Sequence, residues 1–152
     1  ITKIMTAIIA IESKDINAIV TVDESVKKSY GSGIYISIGE EITLKDLLYG
    51  LMLRSGNDAA IMISTYTSGS EESFVKLMNQ KAKEIGMKNT IFYNSSGLDN
   101  NTKGNLSTAY DMALLTKYAM QNATYKEIVK TKKYTTKTNL KTYIWHRKNR
   151  IY

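Results

Sequence analysis

Apolar residues recur every three or four positions through most of this chain, which is the spacing of amphipathic and buried helices. This periodicity predicts a mainly helical protein. Short runs of β-branched and aromatic residues interrupt it and predict a few extended segments. The predicted helices are residues 1–13, 44–53, 58–67, 71–85, 108–122 and 125–129. The predicted strands or extended pieces are residues 18–22, 34–38, 89–93, 133–137 and 142–146, the last two forming a hairpin around residues 138–140.

Capping residues mark several of these helix ends. Thr43 with Asp46 three positions later resembles a capping box, and Thr108 is also followed by an acid at that spacing. Ser70 precedes two glutamates, which suit the positive end of a helix. Gly86 predicts the end of the fourth helix. The apolar face of that helix, predicted to pack in the core, consists of Phe74, Leu77, Met78, Ala82 and Ile85.

A short polar break separates the second and third helices. It consists of Ser55, Gly56 and Asn57, with apolar helical sequence on both sides. Side chains at such a break can point into a cleft, and the three residues would then form part of a site. An ordinary turn between two helices explains the same residues equally simply. The presence of Lys3 in another apolar helix favours the site, because it supplies a second polar group.

Composition limits the class of protein. The chain has 152 residues, of which 43% are hydrophobic and 23% charged, as expected for one soluble globular domain. It has no cysteine, which excludes disulfides and thiolate metal sites. The net charge of +7 is explained either by solubility alone or by attraction to a polyanion such as nucleic acid, acidic lipid or an anionic wall polymer. The lysines are spread along the whole chain, so no nucleic-acid partner is indicated.

Few catalytic chemistries fit the available side chains. The single histidine, His146, lies in a basic strand-like stretch and is predicted to be a surface residue, which argues against a Ser-His-Asp hydrolase. Scattered acids offer no metal-ligand spacing, and no glycine-rich loop follows a strand as phosphate binding requires. Lysine is the remaining base. Lys3 lies inside an apolar helix, where burial would lower its pKa, although its stem could instead carry the amine out to solvent.

Both ends of the sequence suggest a fragment. The first helix is already running at residue 1 without a capping residue, an initiator methionine or a basic leader. Strand-like residues 143–145 and 151–152 lie close to the other end, with no closing turn. No apolar run reaches the roughly 18–20 residues of a membrane span. We therefore expect a longer protein, with any leader, anchor or further domain outside this chain.

Several stretches together resemble the penicillin-binding D-alanyl-D-alanine carboxypeptidases, the serine peptidases of bacterial wall synthesis. Residues 1–7 (Ile-Thr-Lys-Ile-Met-Thr-Ala) resemble the end of their Ser-x-Thr-Lys-hydrophobic-Met-Thr-Ala motif. Residues 55–57 match their Ser-x-Asn motif, the second of the Ser-x-x-Lys, Ser-x-Asn and Lys-Thr-Gly set. The other matching stretches are residues 46–60, 69–75, 78–87, 95–99 and 107–113, with Asn149 and Arg150 near the end.

The resemblance implies roles for three residues. Lys3 would be the general base that activates a serine, and Ser55 would relay a proton to the leaving amine. Asn57 would hold the peptide carbonyl of the substrate and fix Lys3. A serine three positions before a lysine lies on the same face of a helix, within reach of proton transfer. This serine would stand directly before Ile1, and the Lys-Thr-Gly motif beyond Tyr152, so neither is in this chain.

One position departs from the family pattern. At Ser96, ahead of Gly-Leu-Asp, many relatives have a histidine, and no role is carried over to this serine.

The roles assigned to Lys3, Ser55 and Asn57 also predict a distance between their side chains. The Lys3 amine should lie about 2.6–3.2 Å from the Ser55 hydroxyl or the Asn57 side-chain oxygen, because catalysis requires it. An ammonium in an apolar helix also costs several kcal/mol unless polar groups satisfy it.

The implied activity is that of a serine-type carboxypeptidase of peptidoglycan maturation. It would remove the terminal D-alanine of stem peptides through an acyl-enzyme and bind β-lactam antibiotics. The implied fold is α+β and β-lactamase/transpeptidase-like, with residues 1–152 as a partial catalytic domain, truncated at both ends, that is mostly helical. No metal or organic cofactor is implied. The protein would act outside the cytoplasm, secreted or held by a membrane anchor beyond this chain, and would contribute to cell shape.

Two other functions stay open at this point. A serine β-lactamase shares the fold, although residues 55–57 and the Gly-Leu-Asp stretch resemble the carboxypeptidases more, and no clear Glu-x-x-Leu-Asn deacylation motif is present. A non-catalytic wall-associated module that has lost its active site is the other alternative. The residues encoded before Ile1 and after Tyr152 would distinguish such a non-catalytic module from an active enzyme.

Overall fold

The computed structural model describes residues 2–98 and 104–148. The matches at Ile1, Asp99, Asn149 and Arg150 lie outside these described residues. The α-helices are α1 (Thr2–Ser13), α2 (Leu44–Arg54), α3 (Asn57–Ser68), α4 (Glu71–Ile85), α5 (Ala109–Ala119) and α6 (Ala123–Lys130). A 3₁₀ helix spans Glu24–Lys28, and the strands are β1 (Ile19–Thr21), β2 (Glu41–Thr43), β3 (Lys133–Lys137) and β4 (Thr142–His146).

The helices follow the predicted periodicity and caps closely. The side chains of Thr43, Ser70 and Thr108 each accept a hydrogen bond from a backbone N–H three residues later, as N-cap residues do. Gly86 ends α4 with φ 97°, a left-handed conformation that favours glycine. The predicted packing of one face of α4 in the core is confirmed for Phe74, Met78 and Ala82, which are buried. Leu77 and Ile85 on the same face are only partly buried.

The extended segments divide into two antiparallel pairs. Strands β3 and β4 form the predicted hairpin, with Lys133 opposite His146 and Lys137 opposite Thr142. Strand β1 pairs with β2. Periodicity did not predict β2, because this strand has only three residues. The 3₁₀ helix was also not predicted. Residues 34–38 are extended but unpaired with a strand, and the backbone N–H groups of residues 34–36 bind a side chain of α3 instead.

The helices α1, α2 and α3 form the centre of the core. They contact one another, and α1 also contacts α4, α5 and α6, so it is surrounded by helices. Its buried face consists of apolar residues and two threonines, and Met5 and Ala7 are fully buried. A helix so enclosed must satisfy its polar groups within the protein, because water cannot reach them.

The hairpin is held on α2 by aromatic and polar contacts together. The ring of Tyr134 in β3 stacks on Tyr49 of α2, with the ring centroids 3.8 Å apart. The Tyr134 hydroxyl donates to Asp46 Oδ1 at 2.5 Å, and the Thr136 hydroxyl donates to Asp46 Oδ2 at 2.9 Å. Only the Thr43 half of the predicted capping box is therefore formed, since the Asp46 N–H binds Thr43 Oγ1 whereas the Asp46 side chain binds the hairpin.

A second buried carboxylate, that of Glu40, connects the hairpin to the segment before β2. It accepts hydrogen bonds from the Thr138 hydroxyl at 2.5 Å, the Tyr143 hydroxyl at 2.7 Å and the Ser37 N–H at 2.9 Å. Burial alone would raise the pKa of Glu40, but these hydrogen bonds and the charge of Lys141 outweigh it and lower that pKa below 4.5. The ionised carboxylate thus stabilises the folded state.

We expect Glu40→Gln to reduce the acid sensitivity of folding. Because the folded pKa of Glu40 lies below its ordinary value, its contribution to stability is complete above about pH 4.5 and is lost as the pH falls through the folded value. Urea unfolding of the variant between pH 3 and pH 7 should show lower stability at pH 7 and a shallower acid limb. Glu41→Gln, at the exposed neighbouring position, should retain the original limb. An unchanged acid limb in Glu40→Gln would contradict this role.

Candidate active site

Lys3 and Ser55 line the same cleft. Lys3 lies in the first turn of α1, and Ser55 follows the last residue of α2. The cleft has a volume of about 1050 Å³, and most of its wall is apolar. The apolar wall consists of Ile4, Leu51, Met52, Met120, Ala123, Tyr125 and Val129. Two groups that are 52 positions apart in the sequence therefore line one partly open cleft.

The corner between α2 and α3 holds Ser55 in an uncommon backbone conformation. Ser55 has φ 54° and ψ 41°, the left-handed region that non-glycine residues seldom adopt. Its N–H donates to the Gly50 carbonyl, and the Gly56 N–H donates to the same oxygen at 3.3 Å. Such a conformation costs on the order of 1–3 kcal/mol, and it clusters at functional sites. An ordinary turn would place glycine here, so the serine hydroxyl distinguishes this corner.

Asn57 joins the corner to the loop of residues 30–33. Its Nδ2 donates to the Tyr30 carbonyl at 2.8 Å, and its backbone N–H donates to the Ser32 carbonyl at 2.7 Å. Gly31 has φ 80°, and a Cβ there would lie 3.0 Å from Asn57 Nδ2. The loop therefore needs glycine at position 31 both for its backbone and for space.

Asp58 organises the next part of the same loop and was missed by sequence reasoning as a structural anchor. Its carboxylate accepts hydrogen bonds from the backbone N–H groups of Ile34, Tyr35 and Ile36 at 2.8–3.3 Å, and from that of Ala59 at 2.9 Å. Tyr35 has φ 63°, which helps to turn these N–H groups towards one point. The sequence carries no clear signal for this role, because the helix dipole alone explains an acid in a first turn, and the partners of Asp58 are backbone N–H groups.

The Lys3 amine binds the main chain of a distant loop. Its Nζ donates to the Ser96 carbonyl at 2.6 Å, and the Thr6 hydroxyl one turn later donates to the Ser95 carbonyl at 2.7 Å. Thr2 Oγ1 accepts from the Asn105 side chain at 3.0 Å. Two polar side chains of α1 thus bind residues 95 and 96 directly, and Thr2 binds Asn105, whose Nδ2 also donates to Asn94 Oδ1 at 3.1 Å.

The surroundings make Lys3 a weaker base than an ordinary lysine amine. Burial, and secondly the positive charge of Lys148, lower the pKa of Lys3 from 10.5 to about 8. Lys148 is itself fixed, since its N–H donates to the Leu53 carbonyl at 2.8 Å and its Nζ donates to Ser32 Oγ at 3.1 Å. An amine with this pKa is partly neutral near physiological pH and can accept a proton there.

The predicted bond from Lys3 to Ser55 or Asn57 is not formed. All three residues are described, and the hydrogen bond of the amine goes to Ser96, while the Asn57 amide binds Tyr30. Ser55 and Lys3 both line the cleft, but no hydrogen bond joins their side chains. Sequence reasoning missed the contribution of Ser96, because the residue acts through its carbonyl, which every residue type carries.

Other chemistries find little support in the described residues. His146 is exposed, as predicted, and its carbonyl accepts from Arg54 Nη1 at 3.2 Å. Across residues 2–98 and 104–148, no group of three or more His, Cys, Asp or Glu side chains converges in a way that could hold a metal ion. In the same residues, no helix is both long and apolar enough to cross a membrane.

The sequence is similar throughout to one protein family. The profile of the D-alanyl-D-alanine carboxypeptidase family, Peptidase_S11, matches residues 1–152. The chain is 43% identical over 134 residues to D-alanyl-D-alanine carboxypeptidase DacF of Bacillus subtilis, covering 85% of this chain and 33% of that protein. It is 37% identical over 155 aligned positions to a D-alanyl-D-alanine carboxypeptidase of Streptomyces sp. strain K15, covering 93% of this chain and 52% of that protein. The chain thus spans a third to about half of these relatives.

Solved structures show the same similarity. A D-alanyl-D-alanine carboxypeptidase from Mycobacterium tuberculosis superposes with a TM-score of 0.91 at 27% identity, over 97% of this chain and 56% of that one. The Streptomyces K15 DD-transpeptidase superposes with a TM-score of 0.88 at 32% identity, over 97% of this chain and 63% of that one. These neighbours confirm the predicted α+β, β-lactamase/transpeptidase-like fold, here mostly its helical part.

We expect Lys3→Met to stabilise the chain at neutral pH. The folded pKa of Lys3 is lowered, so the charged amine opposes folding fully below about pH 8, and this penalty disappears as the pH rises towards 10.5. Methionine is apolar and of similar length, so the free energy of unfolding should rise by about 1 kcal/mol at pH 7 and by less at pH 10.

Urea unfolding at both pH values measures this difference. Lys76→Met, at an exposed position of α4, is the matched control and should show no such pH-dependent gain. A Lys3→Met variant that is less stable than the original chain at pH 7 would show that the charged Lys3 amine does not destabilise the folded state.

Proposed function

The chain belongs to the D-alanyl-D-alanine carboxypeptidase family, and we propose that it carries the Lys3 and Ser55 part of a serine-type D-Ala-D-Ala carboxypeptidase of peptidoglycan maturation. One observation carries the proposal: an amine whose pKa is lowered to about 8 lies at the start of a buried helix and faces the same cleft as Ser55. A base of this strength suits the activation of a hydroxyl at neutral pH.

The proposed reaction begins with the serine that the family resemblance puts directly before Ile1. Lys3 Nζ takes the hydroxyl proton of that serine, and the serine oxygen attacks the carbonyl between the two D-alanines. The C–N bond then breaks, and the leaving amine receives a proton through the Ser55 hydroxyl. Free D-alanine departs, and the remaining stem peptide is held as an ester on the serine. Water then cleaves the ester, which releases the shortened peptide and restores the hydroxyl.

Asn57 is assigned to hold the substrate. An asparagine amide has two hydrogens, and the Tyr30 carbonyl accepts only one of them in this structure. We assign the second to the peptide carbonyl of the stem peptide. A β-lactam presents a similar carbonyl to the same groups, so it would acylate the serine and be released slowly.

The cellular setting is part of this proposal. The substrate lies in the cell wall, so the enzyme would act outside the cytoplasm, either secreted or anchored to the membrane by a segment beyond this chain. A net charge of +7 suits a location among anionic wall polymers, and the activity would influence cell shape. No metal or organic cofactor takes part in the proposed steps.

We expect Lys3→Ala to reduce acylation by penicillin about 10²–10⁴-fold, which is the usual contribution of a positioned base. The protein for this test is the chain extended at both ends by the residues that its gene encodes, and the measurement is the rate of labelling by a fluorescent penicillin. Lys76→Ala should label at the original rate, since that side chain is exposed on α4. Labelling of Lys3→Ala at the original rate would exclude Lys3 as the base.

We expect the 152-residue chain by itself to release no D-alanine from a pentapeptide. Lys3 has only two residues before it, so no serine stands three positions ahead of it. Free D-alanine measured after incubation with the purified chain should equal that in a buffer blank. Release above the blank would mean that the nucleophile lies elsewhere. Turnover of a β-lactam at several molecules per second by the extended protein would favour the β-lactamase alternative.

A further inference from the structure

The loop that binds Lys3 is fixed on its other side by an acid. Glu71 is the first residue of α4, and its Oε2 accepts hydrogen bonds from the Ser95 hydroxyl at 2.6 Å and from the Ser95 N–H at 3.3 Å. Ser95 is fully buried. A carboxylate that binds both the side chain and the main chain of one residue fixes the position of that residue strongly.

The same two residues of the loop meet α1. The Ser95 carbonyl accepts from the Thr6 hydroxyl at 2.7 Å, and the Ser96 carbonyl accepts from Lys3 Nζ at 2.6 Å. The unit formed by residues 95 and 96 is therefore held between Glu71 of α4, which binds Ser95, and two side chains of α1, of which Thr6 binds Ser95 and Lys3 binds Ser96. A shift of this unit would move the only hydrogen-bond acceptor that the described residues offer to the Lys3 amine.

Glu71 is not required to cap α4. Ser70 caps that helix, because its hydroxyl oxygen accepts from the Ser73 N–H at 3.1 Å. Glu72, the next residue, is exposed and supplies a negative charge at the same helix end. The contact between Glu71 and Ser95 is thus additional to what the helix needs.

We propose that Glu71 is a positioning residue for the Lys3 amine: it fixes residues 95–96 so that the Ser96 carbonyl stays against Lys3 Nζ at the closed start of α1. The inference rests on the proposed function only where it treats Lys3 as the catalytic base. The positioning of the amine by Glu71 can be tested without measuring activity. Without Glu71, the loop would move away from α1, and the half-buried amine would become more exposed to water.

The direction in which the pKa of Lys3 changes when Glu71 is removed distinguishes a positioning role from a direct effect of the Glu71 charge. Removing a negative charge would by itself make the ammonium less favourable and lower the pKa of Lys3 further. Admitting water to the amine would instead raise that pKa from about 8 towards 10.5, because burial is the main cause of its lowering. The other charged groups facing Lys3 are Lys148 and, around the cleft, Lys126, Glu127, Lys130 and Arg147, and none of them changes in these variants.

The experiment measures the pKa of the Lys3 amine in the 152-residue chain by trace acetylation across pH 6–11, with mass spectrometry of the Lys3 peptide. Glu71→Ala should raise the midpoint by about one unit, which lowers the neutral fraction at pH 8 about fivefold. Glu71→Gln keeps an oxygen acceptor for Ser95, so its midpoint should stay close to the original. Glu72→Ala removes the same charge at the same helix end and is the matched control.

Ser95→Ala provides a second test in case Glu71→Ala fails to fold. It removes the 2.6 Å hydrogen bond and should raise the Lys3 midpoint in the same direction by a smaller amount. A Lys3 midpoint that is unchanged or lowered in folded Glu71→Ala, or in Ser95→Ala where the former does not fold, would overturn the proposal. If the midpoint rises but penicillin acylation of the extended Glu71→Ala protein keeps its pH profile, the positioning role stands and Lys3 is not the base.

Discussion

The partial burial of one lysine amine is the constraint on which the rest of the site depends. Lys3 lies at the positive end of a helix that other helices surround, where a cation is doubly unfavourable. Lys81 shows the usual solution, because the hydrogen bond and charge of Glu12 outweigh its burial and raise its pKa. Within the described part of the chain, Lys3 forms no ion pair. Its partner is a neutral carbonyl, which satisfies the amine without strongly favouring the ammonium.

Buried carboxylates elsewhere in the fold also bind neutral donors. Asp58 accepts from backbone N–H groups, Asp46 accepts from two hydroxyls of the hairpin, and Glu40 accepts from hydroxyls and an N–H. Each joins segments that are distant in the sequence. None of these acids is among the groups that shift the pKa of Lys3, which are its burial and the charge of Lys148. The buried carboxylates thus join segments of the framework without offsetting the lowered pKa of this amine.

The sequence predicted the regular part of this arrangement well. Apolar periodicity and capping residues located the helices and the β3–β4 hairpin, because those signals are local. The association of Lys3 with the corner at Ser55 depended on family motifs, because nothing local relates residues so far apart. The strand β2 was too short to leave a pattern. The contact of Lys3 with the Ser96 carbonyl and the binding of the loop by Asp58 could not be predicted, since both depend on main-chain atoms that no side-chain pattern reveals.

The main-chain nature of the contact at Ser96 has a consequence for divergence within the family. The carbonyl that holds the amine is present whatever side chain position 96 carries, so a substitution there leaves this acceptor available to Lys3. Ser96 itself is only partly buried, and its hydroxyl accepts from the Leu98 N–H at 3.1 Å. Position 96 can therefore carry a different side chain without loss of the contact that its carbonyl makes with α1. The surface beside the Lys3 amine can thus change in size and charge while the amine keeps the same hydrogen-bond acceptor.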